Sequence, residues 1–364
     1  MNLLYFFADS PKEENCSKHN VKFPVAALNK YYPEHQAKYF HIDRFSDNNQ
    51  EIQEECMKAD VIILERNLWG SVLSNMMYYK VIGKKIITIF DDSYEHLQVD
   101  NPAYRFWKFG ELNGINEKTK EPTRIYNNIK PLILFRWGNQ IANAIQVPNR
   151  IMQQDWLPIN DTYYLRNYIN PEPYINAERI HKHDDILIGW HGSLSHRYSF
   201  EHSGIVKALR NIVKRYPNVR ILLGGDKSIV DSISLPVGRK IYQPYVTEDL
   251  WAGTLKNYDI ALAPLAGEYD RRRSWIRGIE YMACQIPWIG TRMETYEDLE
   301  NYTVLVDNGA ENWENAISEM IDNLQKHRER VKEEPYKFAL EQSYEKNMWK
   351  NLEVYKQVLE KPYE

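Results

Sequence analysis

Short apolar runs alternate with amphipathic stretches through the first half of the chain. The clearest runs have the length of buried strands and are Asn2 to Ala8, Asp60 to Leu64 and Lys85 to Phe90. Weaker strands are predicted at Lys38 to His41, Ala144 to Val147 and Tyr164 to Ile169. Helices are predicted at Phe23 to Tyr32, Glu51 to Ala59 and Gly70 to Val81. This alternation predicts βαβ units and a parallel sheet.

The same alternation restarts in the second half, after the sequence Asn170-Pro171-Glu172-Pro173. Strands are predicted at Ile186 to Trp190, Val219 to Leu223, Lys240 to Tyr242, Tyr258 to Ala263 and Pro287 to Thr291. We therefore predict an α/β fold with two Rossmann-like domains, residues 1–170 and 171–340, facing each other across a cleft. A last helix in 341–364 has Met348, Leu352, Tyr355 and Leu359 on one face, so it must pack on another element.

Residues 98–136 do not follow the alternation. This segment interleaves aromatic with basic side chains, namely Tyr104, Phe106, Trp107, Phe109 and Tyr126 with Arg105, Lys108, Lys118, Lys120, Arg124 and Lys130. So long a segment is more often functional or mobile than a simple connection. It suits an acceptor that is anionic or has stackable faces. The alternative is a solvated elaboration with a few rings packed on the core.

Composition narrows the class of protein. The 364 residues are 43% hydrophobic and 26% charged, which is typical of a soluble globular chain of two domains. No apolar run is long enough to span a membrane and the N-terminus does not resemble a signal peptide, so we expect a cytoplasmic protein. Cys16, Cys56 and Cys284 are far apart, which predicts reduced thiols and no zinc site. The net charge of −4 argues against an overall nucleic-acid footprint but allows a local basic groove.

The stretch 266–291 carries the most chemistry. Arg271, Arg272 and Arg273 lead into Ser274, a residue type that caps helix N-termini, so a helix is predicted to begin there. Its free N–H groups and the guanidinium groups would bind a phosphate or diphosphate.

Further along this predicted helix, Ile276, Ile279 and Ala283 share a packing face, whereas Arg273, Arg277 and Glu280 share another. Glu280 can accept hydrogen bonds from a ribose diol. The alternative is a solvated charge run in which Glu280 pairs with Arg277 or Arg273.

Polar residues also follow three predicted strands, at the edge where α/β sheets bind ligands. Glu65-Arg66 and Asp91-Asp92 do so in the first half. A carboxylate there can orient or deprotonate a hydroxyl, although Asp92 can instead cap the next helix. In the second half His191, Gly192 and Ser193 form a small turn whose N–H groups can approach a phosphate.

Taken together, these motifs resemble the GT-B class of nucleotide-sugar-dependent glycosyltransferases, especially its large, mostly retaining and metal-independent group. The resemblance covers most of the chain and rests mainly on the second half. Its motifs are IGWHGSLSHR at 188–197, YDIALAPL at 258–265, RRRSWIRGIEYMACQIPWIGT at 271–291 and TYEDL with VLVDN within 295–308. Weaker matches lie at 60–67, 90–97 and 166–170.

This resemblance implies that the last helix crosses back onto the first domain. It also implies a site without a metal or a cofactor other than the nucleotide-sugar co-substrate. Glu280 would hold the ribose, and Arg277 with the turn Ser274, Trp275 and Ile276 would contact the diphosphate. The turn His191, Gly192 and Ser193 would face the phosphates, and Tyr245 with Val246 would border the base.

One position departs from the family pattern. A second glutamate, which contacts the donor sugar, often stands eight residues before the ribose glutamate, and this chain has Arg272 there. Glu268 or Asp270 are candidates to replace it, and Arg272 and Arg273 are themselves assigned to the donor site.

The predicted function is transfer of a sugar from a UDP- or GDP-linked donor to an acceptor hydroxyl, with retention of configuration. Arg277 would stabilise the departing diphosphate. Asp92 is favoured, with Asp91 second, to act on the acceptor hydroxyl. Arg66, Trp107 and Lys108 would bind the acceptor.

The acceptor is expected to be a saccharide or cell-surface glycan. The alternative is a hydroxymethylated base of viral DNA, and a further alternative from another class is a non-catalytic nucleotide-sugar-binding protein. No G-x-G-x-x-G follows a predicted strand, which argues against an NAD-dependent dehydrogenase.

Overall fold

The computed structural model describes residues 1–10, 16–115, 122–180 and 183–362. Two six-stranded sheets and one two-stranded hairpin make up its β-structure. In both large sheets all paired strands are parallel. The predicted α/β fold with two Rossmann-like units is therefore confirmed.

The first sheet has the order β2-β1-β3-β4-β7-β8. Its strands are β1 (Asn2–Phe7), β2 (Gln36–His41), β3 (Val61–Glu65), β4 (Lys85–Ile89), β7 (Ala144–Val147) and β8 (Thr162–Tyr164). Its helices are α1 (Phe23–Tyr31), α2 (Ile42–Asp47), α3 (Gln50–Lys58), α4 (Ser71–Val81), α5 (Tyr104–Phe109), α6 (Pro131–Ile141) and α7 (Arg150–Trp156). Short turns of π- or 3₁₀-helix lie at Lys18–Lys22 and Tyr94–His96.

The second sheet has the order β11-β10-β9-β12-β13-β14, the doubly wound order of dinucleotide-binding folds. Its strands are β9 (Ile186–Gly192), β10 (Val219–Gly225), β11 (Lys240–Gln243), β12 (Ile260–Ala263), β13 (Trp288–Thr291) and β14 (Val304–Val306). The helices are α8 (Glu172–Asn176), α9 (Arg197–His202), α10 (Ile205–Arg215), α11 (Lys227–Ser232), α12 (Glu248–Leu255), α13 (Gly267–Asp270), α14 (Ile276–Ala283), α15 (Ala310–Asp322), α16 (Leu324–Val331), α17 (Glu334–Glu341) and α18 (Tyr344–Glu360). Turns of 3₁₀-helix lie at Leu194–His196 and Glu294–Leu299.

The irregular segment 98–136 has its own structure. It contains α5, the antiparallel hairpin of β5 (Glu111–Ile115) and β6 (Pro122–Tyr126), and the start of α6. Lys118 and Lys120, two of the basic residues predicted to suit an acceptor, lie outside the described residues. The prediction of a strand at Tyr164 to Ile169 is wrong, because β8 (Thr162–Tyr164) ends where that predicted strand begins.

The final helix α18 crosses back onto the first sheet, as the resemblance implies. The Tyr355 hydroxyl lies 3.0 Å from that of Tyr5 in β1. Met348, Leu352 and Val358 are buried in the same cluster. Among the described residues no helix is both long and apolar enough to cross a membrane.

Each sheet has one position where the strand order reverses direction, and ligands of open α/β sheets bind beside such positions. In the second sheet it lies between β9 and β12, and in the first between β1 and β3. The segment after β4 of the first sheet contacts the segment after β12 of the second. The Gln98 side chain, for example, approaches the Ala266 carbonyl at 3.5 Å.

Candidate active site

The loop 266–275 turns on a buried carboxylate. Asp270 is fully buried and accepts hydrogen bonds from the Ala266 N–H at 2.7 Å, from the Ser199 hydroxyl and from Arg273 Nε at 2.7 Å. Its oxygens are thus already occupied by the loop itself. Asp270 is one of the two residues that are candidates to replace the missing family glutamate. Its carboxylate instead shapes the loop 266–275.

Helix α14 begins at Ile276, two residues after the predicted start. Trp275 is its N-cap residue, and the Ser274 hydroxyl makes only a long 3.4 Å contact with the Ile276 N–H. Trp275 is buried and its indole donates to the Asn167 carbonyl at 2.9 Å. The Trp275 ring therefore belongs to the core and anchors the start of the helix, and the contact of the turn Ser274, Trp275 and Ile276 with the diphosphate stays a prediction.

Arg273 and Arg277 converge on one imidazole. Arg273 Nη1 lies 2.9 Å from His196 Nε2 and Arg277 Nη2 lies 3.4 Å from the same nitrogen. Because a guanidinium can only donate, Nε2 must be the acceptor, and the ring proton sits on Nδ1. Burial and the two arginine charges hold the pKa of His196 well below its usual value. The pair thus keeps its positive charge beside a neutral histidine.

His191 lies at the end of β9 on the same side of the sheet. Its Nδ1 lies 3.1 Å from the Tyr258 hydroxyl, and its buried Nε2 finds no hydrogen-bond partner in the described part of the chain. Burial, and then the charge of Arg277, lowers its pKa to about 3. A buried ring nitrogen without a partner beside an arginine is suited to contact a ligand oxygen.

The backbone after His191 must be glycine. A Cβ on Gly192 would lie 2.6 Å from the Trp190 ring, and one on Gly225 would lie 2.3 Å from the Gly192 carbonyl oxygen. This crowding fixes the turn that leads to Ser193, whose hydroxyl lies 2.9 Å from that of Ser195. The turn and the N-terminus of α14 thus border the two arginines.

Glu280 is held in a fixed orientation. Its Oε1 accepts hydrogen bonds from the Tyr174 hydroxyl at 2.7 Å and from the Trp251 indole at 3.1 Å. Burial raises the pKa of this carboxyl. Both donors bind the same oxygen, so Oε2 is left for a ligand hydroxyl. The predicted pairing of Glu280 with Arg277 or Arg273 is not observed among the described contacts.

An aromatic wall borders this carboxylate. The centre of the Trp251 ring lies 5.0 Å from that of the His191 ring, and the centre of the Tyr245 ring lies 6.4 Å from that of the same His191 ring. Tyr245 is 58% exposed, and Val246 is half-buried beside it. The two predicted base-bordering residues therefore lie next to the predicted phosphate residues and within reach of solvent.

Arg272 has a different role from the one predicted. Its Nε donates to Asp155 of α7 at 2.6 Å and its Nη1 donates to Glu268 at 2.8 Å. Its side chain is buried by these contacts. Arg272 therefore ties the second unit to the first instead of reaching the donor, and Glu268 is engaged in the same contact.

Three side chains of the first unit form an acid pocket, which we define as Cys16, Asp91 and Asp92. Their ligand-type atoms lie within 4.8 Å of one another. Asp91 is buried and its Oδ1 has no hydrogen-bond partner in the described ranges. Burial, and then the charge of Asp92, raises the pKa of Asp91 to about 7.

The acid pocket directly faces the loop 266–275. Asp92 interacts with the hydroxyl of Tyr269 and with the charge of Arg273. The Arg273 guanidinium in turn lies over the Tyr269 ring, 4.6 Å from its centre. The structure therefore brings Asp91 and Asp92 together with Arg273, Arg277 and His196 across the cleft.

Arg66 lies behind the acid pocket and is not free to bind an acceptor as predicted. It forms an ion pair with Asp9 and lies 3.7 Å from Glu65. Glu65 is fully buried and accepts from the Ala8 N–H at 2.7 Å and from Asn20 Nδ2 at 2.9 Å. Both residues therefore hold the loop after β1 in place.

Trp107 and Lys108, which are predicted to bind the acceptor, both make contacts within the first unit. Trp107 is buried and stacks on Tyr94 with ring centres 3.9 Å apart. Lys108 donates to the Glu95 carbonyl at 2.7 Å. A ring enclosed by the core cannot contact a substrate, so these two residues anchor α5 to the turn that follows Asp92.

Sequence reasoning missed several residues of the site. Tyr174 and Trp251 orient Glu280, Tyr269 connects the two sides of the cleft, and Cys16 completes the acid pocket. None of them belongs to a recognisable motif. Tyr174 follows the boundary prolines and Trp251 lies within an unremarkable helix, so only the folded chain brings them to the ligand residues.

No protein-family model matches the chain, and no curated protein matches it in sequence. Solved structures with similar folds exist. HepE from Anabaena in complex with UDP superposes with a TM-score of 0.64 at 12% identity, covering 98% of this chain and 100% of that one. A protein described as a UDP-N-acetylglucosamine 2-epimerase from Listeria monocytogenes gives 0.58 at 12% identity, covering 100% and 98%.

TarM, known from S. aureus, gives a TM-score of 0.60 at 11% identity, covering 83% of this chain. This chain covers only 55% of the length of TarM. At such identities the likeness concerns the fold alone. The two parallel sheets of this chain and the helices around them match these structures in fold, and the chain thus has the GT-B fold.

Proposed function

We propose that the chain is a glycosyltransferase that moves a sugar from a nucleoside-diphosphate donor to an acceptor hydroxyl. The observation that carries this proposal is the arrangement across the cleft. Two arginines and two neutral histidines lie beside an oriented glutamate on one side, and an acid pocket lies on the other. The same fold in HepE binds UDP, which favours UDP over GDP as the nucleotide.

In the donor half, Glu280 Oε2 would accept hydrogen bonds from the ribose diol. Arg277, His191 Nε2 and the turn at Gly192 would contact the diphosphate. When the bond between the sugar C1 and the phosphate oxygen breaks, the electron pair stays on the diphosphate. Fixed positive charge at that point stabilises the leaving group and the transition state.

In the acceptor half, Asp92 or Asp91 would hold the acceptor hydroxyl. Its oxygen forms the new bond to C1, and its proton passes to the carboxylate. Burial raises the pKa of Asp91 to about 7, which suits a group that gains and loses a proton at neutral pH. We propose a saccharide acceptor and retention of configuration, as the resemblance implies, so the hydroxyl attacks C1 on the face from which the diphosphate departs.

We propose further that no metal ion takes part, although the acid pocket contains metal-ligand atom types. Arg66 interacts with Asp91 and Cys16, and Arg273 interacts with Asp92. These guanidinium groups supply the positive charge that a cation would otherwise bring. Burial also holds the pKa of the Cys16 thiol well above its usual value, which opposes thiolate ligation.

A donor panel tests the proposal. Thermal unfolding with UDP, GDP and ADP should show a shift with UDP, about 2.7 kcal/mol of stabilisation at 100 times the dissociation constant. Release of UDP from UDP-sugars is then measured with saccharide acceptors and with EDTA. The configuration of the product is read by NMR.

The outcomes separate the competing functions. No shift with any nucleotide would overturn the donor site, whereas binding without turnover would favour a non-catalytic binding protein. An isomerised UDP-sugar with no transferred sugar would indicate an epimerase. Loss of activity with EDTA, restored by a divalent cation, would overturn the metal-independent mechanism.

A further inference from the structure

The first unit exposes an apolar face on the hairpin and on the helices that flank it. Its members are aliphatic and aromatic side chains that are between 40% and 52% exposed. We define the apolar face as Phe109, Leu112, Ile125, Ile129, Ile133 and Trp137. Contiguous exposed apolar surface marks an interaction site in soluble proteins.

The members of the apolar face are brought together by local geometry. Leu112 and Ile125 are direct partners in the hairpin, so their side chains point to the same side. Ile129, Ile133 and Trp137 are spaced four residues apart at the start of and along α6, which puts Ile133 and Trp137 on one stripe of the helix.

Helix α4 extends this surface. Its Lys80 donates to the Ile141 carbonyl at the end of α6, at 2.7 Å. On the same helix Met77 is 52% exposed and Val81 is 86% exposed. Two neighbouring helices and the hairpin that precedes α6 therefore all expose apolar side chains.

The charge around the apolar face is positive, although the chain as a whole carries −4. In 104–115 and 122–141 the cations are Arg105, Lys108, Arg124, Lys130 and Arg136, and Glu111 is the one acidic residue. Arg105 and Arg124 both pair with Glu111, whose side chain is 9% exposed. Arg136 pairs with Glu95, which lies outside these ranges, at 3.4 Å, and the Glu95 side chain is 25% exposed. Five cations against these two carboxylates still leave this surface net positive.

From this combination we propose that the apolar face docks on an anionic lipid membrane surface. Half-exposed aliphatic and aromatic side chains enter the interface, and surrounding lysine and arginine side chains contact anionic headgroups. Aliphatic residues such as Ile125, Ile129 and Ile133 contribute nothing to nucleic-acid binding, which relies on cations and stacking rings. A symmetric contact between two copies would bring two positive surfaces together.

The apolar face is joined rigidly to the cleft. Trp107 of α5 stacks on Tyr94, three residues after Asp91. Lys108 fixes the same turn through the Glu95 carbonyl. A membrane bound by the apolar face would therefore lie at a set distance from the acid pocket. Docking of the apolar face on a membrane does not depend on the transfer reaction.

Co-sedimentation with vesicles tests the proposal with the full chain. Vesicles that contain phosphatidylglycerol should bind the protein, and vesicles of phosphatidylcholine alone should bind it at least tenfold more weakly. The double variant with Ile133→Glu and Trp137→Glu should lose binding to anionic vesicles by more than tenfold. Lys130→Gln should lower affinity about fivefold, with a weaker dependence on salt.

Trp349→Glu is the matched control, because Trp349 is 44% exposed against 49% for Trp137 and lies on α18. It should bind vesicles like the unmodified chain. Circular dichroism and thermal unfolding confirm that each variant folds. Equal binding by the double variant and the control would overturn the proposal.

Two further results would also overturn it. One is retention on duplex DNA, abolished by the double variant, with no binding to anionic vesicles. The other is a dimer in light scattering that the same variant converts to a monomer. Either would assign the apolar face to a different partner.

Discussion

The two halves of the molecule share a sheet architecture but carry opposite chemistry at its carboxyl edge. In the first half this edge holds Asp91 and Asp92, and in the second it holds Arg273 and Arg277. Burial shifts the pKa of one titrating group at each edge, Asp91 in the first half and His191 in the second, in opposite directions. It raises the pKa of Asp91 to about 7 and lowers the pKa of His191 to about 3.

In both halves burial therefore favours the neutral form of the titrating group. The permanent charge of the cleft is left to the arginines, which remain ionised at any pH. The diphosphate of the proposed donor would then be bound by fixed charges in one half. The other half keeps a carboxyl group that can exchange a proton near neutral pH.

This contrast predicts its largest effect for the acid pocket. Asp92→Asn should lower kcat by about 10²–10⁴, because the carboxylate that accepts the acceptor proton is gone. Donor binding should hardly change, since the nucleotide residues are in the other half. Steady-state kinetics and calorimetric titration with UDP measure the two quantities. A variant that lost UDP affinity and kept kcat would reverse the assignment of the halves.

The donor half is tested by Arg277→Ala. Removal of one group that stabilises the leaving diphosphate should lower kcat by about 10²–10³. The control is Arg215→Ala, which removes a guanidinium paired with Glu314 on the far side of the second sheet. Normal turnover by Arg277→Ala, with the control also normal, would show that the diphosphate binds elsewhere.

Much of this arrangement could be predicted from the sequence. The strand runs in both halves indicate the two parallel sheets, because buried parallel strands need continuous apolar segments. Glu280, Arg277 and the turn at Gly192 follow from strand ends and helix register. These are local features, and their positions depend on residues a few places away.

The acceptor assignments could not be made in this way. Trp107 and Lys108 look like surface residues in an irregular, basic segment, but Trp107 fills the space beside Tyr94 and Phe135. Arg272 stands at a donor position in sequence and reaches Asp155, 117 residues away. Such contacts depend on how two distant segments meet, which no local pattern contains.

A smaller effect is expected where the donor half orients its ligand. Tyr174→Phe removes one of two donors to Glu280, and we expect about tenfold weaker UDP binding, since hydrogen bonds to charged groups are worth about 1.5–3 kcal/mol. Tyr216→Phe is the control, because its hydroxyl also contacts a carboxylate, that of Asp322 at 3.1 Å. If both variants bound UDP equally well, Tyr174 would have no part in holding Glu280.

The last effect is on stability rather than activity, and here the two halves should differ in sign. The pKa of Asp91 is raised by folding from 3.8 to about 7, so the stability that it contributes below pH 4 is lost as the pH rises towards 7. Asp91→Asn cannot ionise and should gain stability relative to the unmodified chain over that range, about 1.4 kcal/mol for each unit by which the pKa is raised.

For His191 the sign is reversed. Its pKa is lowered by folding from 6.5 to about 3, so its contribution is lost as the pH falls through that range, and His191→Gln should gain relative stability there. Urea unfolding of both variants between pH 4 and 8 measures these slopes, with the exposed Asp231→Asn as control. Parallel slopes for the two variants would mean that burial does not act on the two halves in opposite directions, and the contrast between an acid-exchanging half and a fixed-charge half would fail.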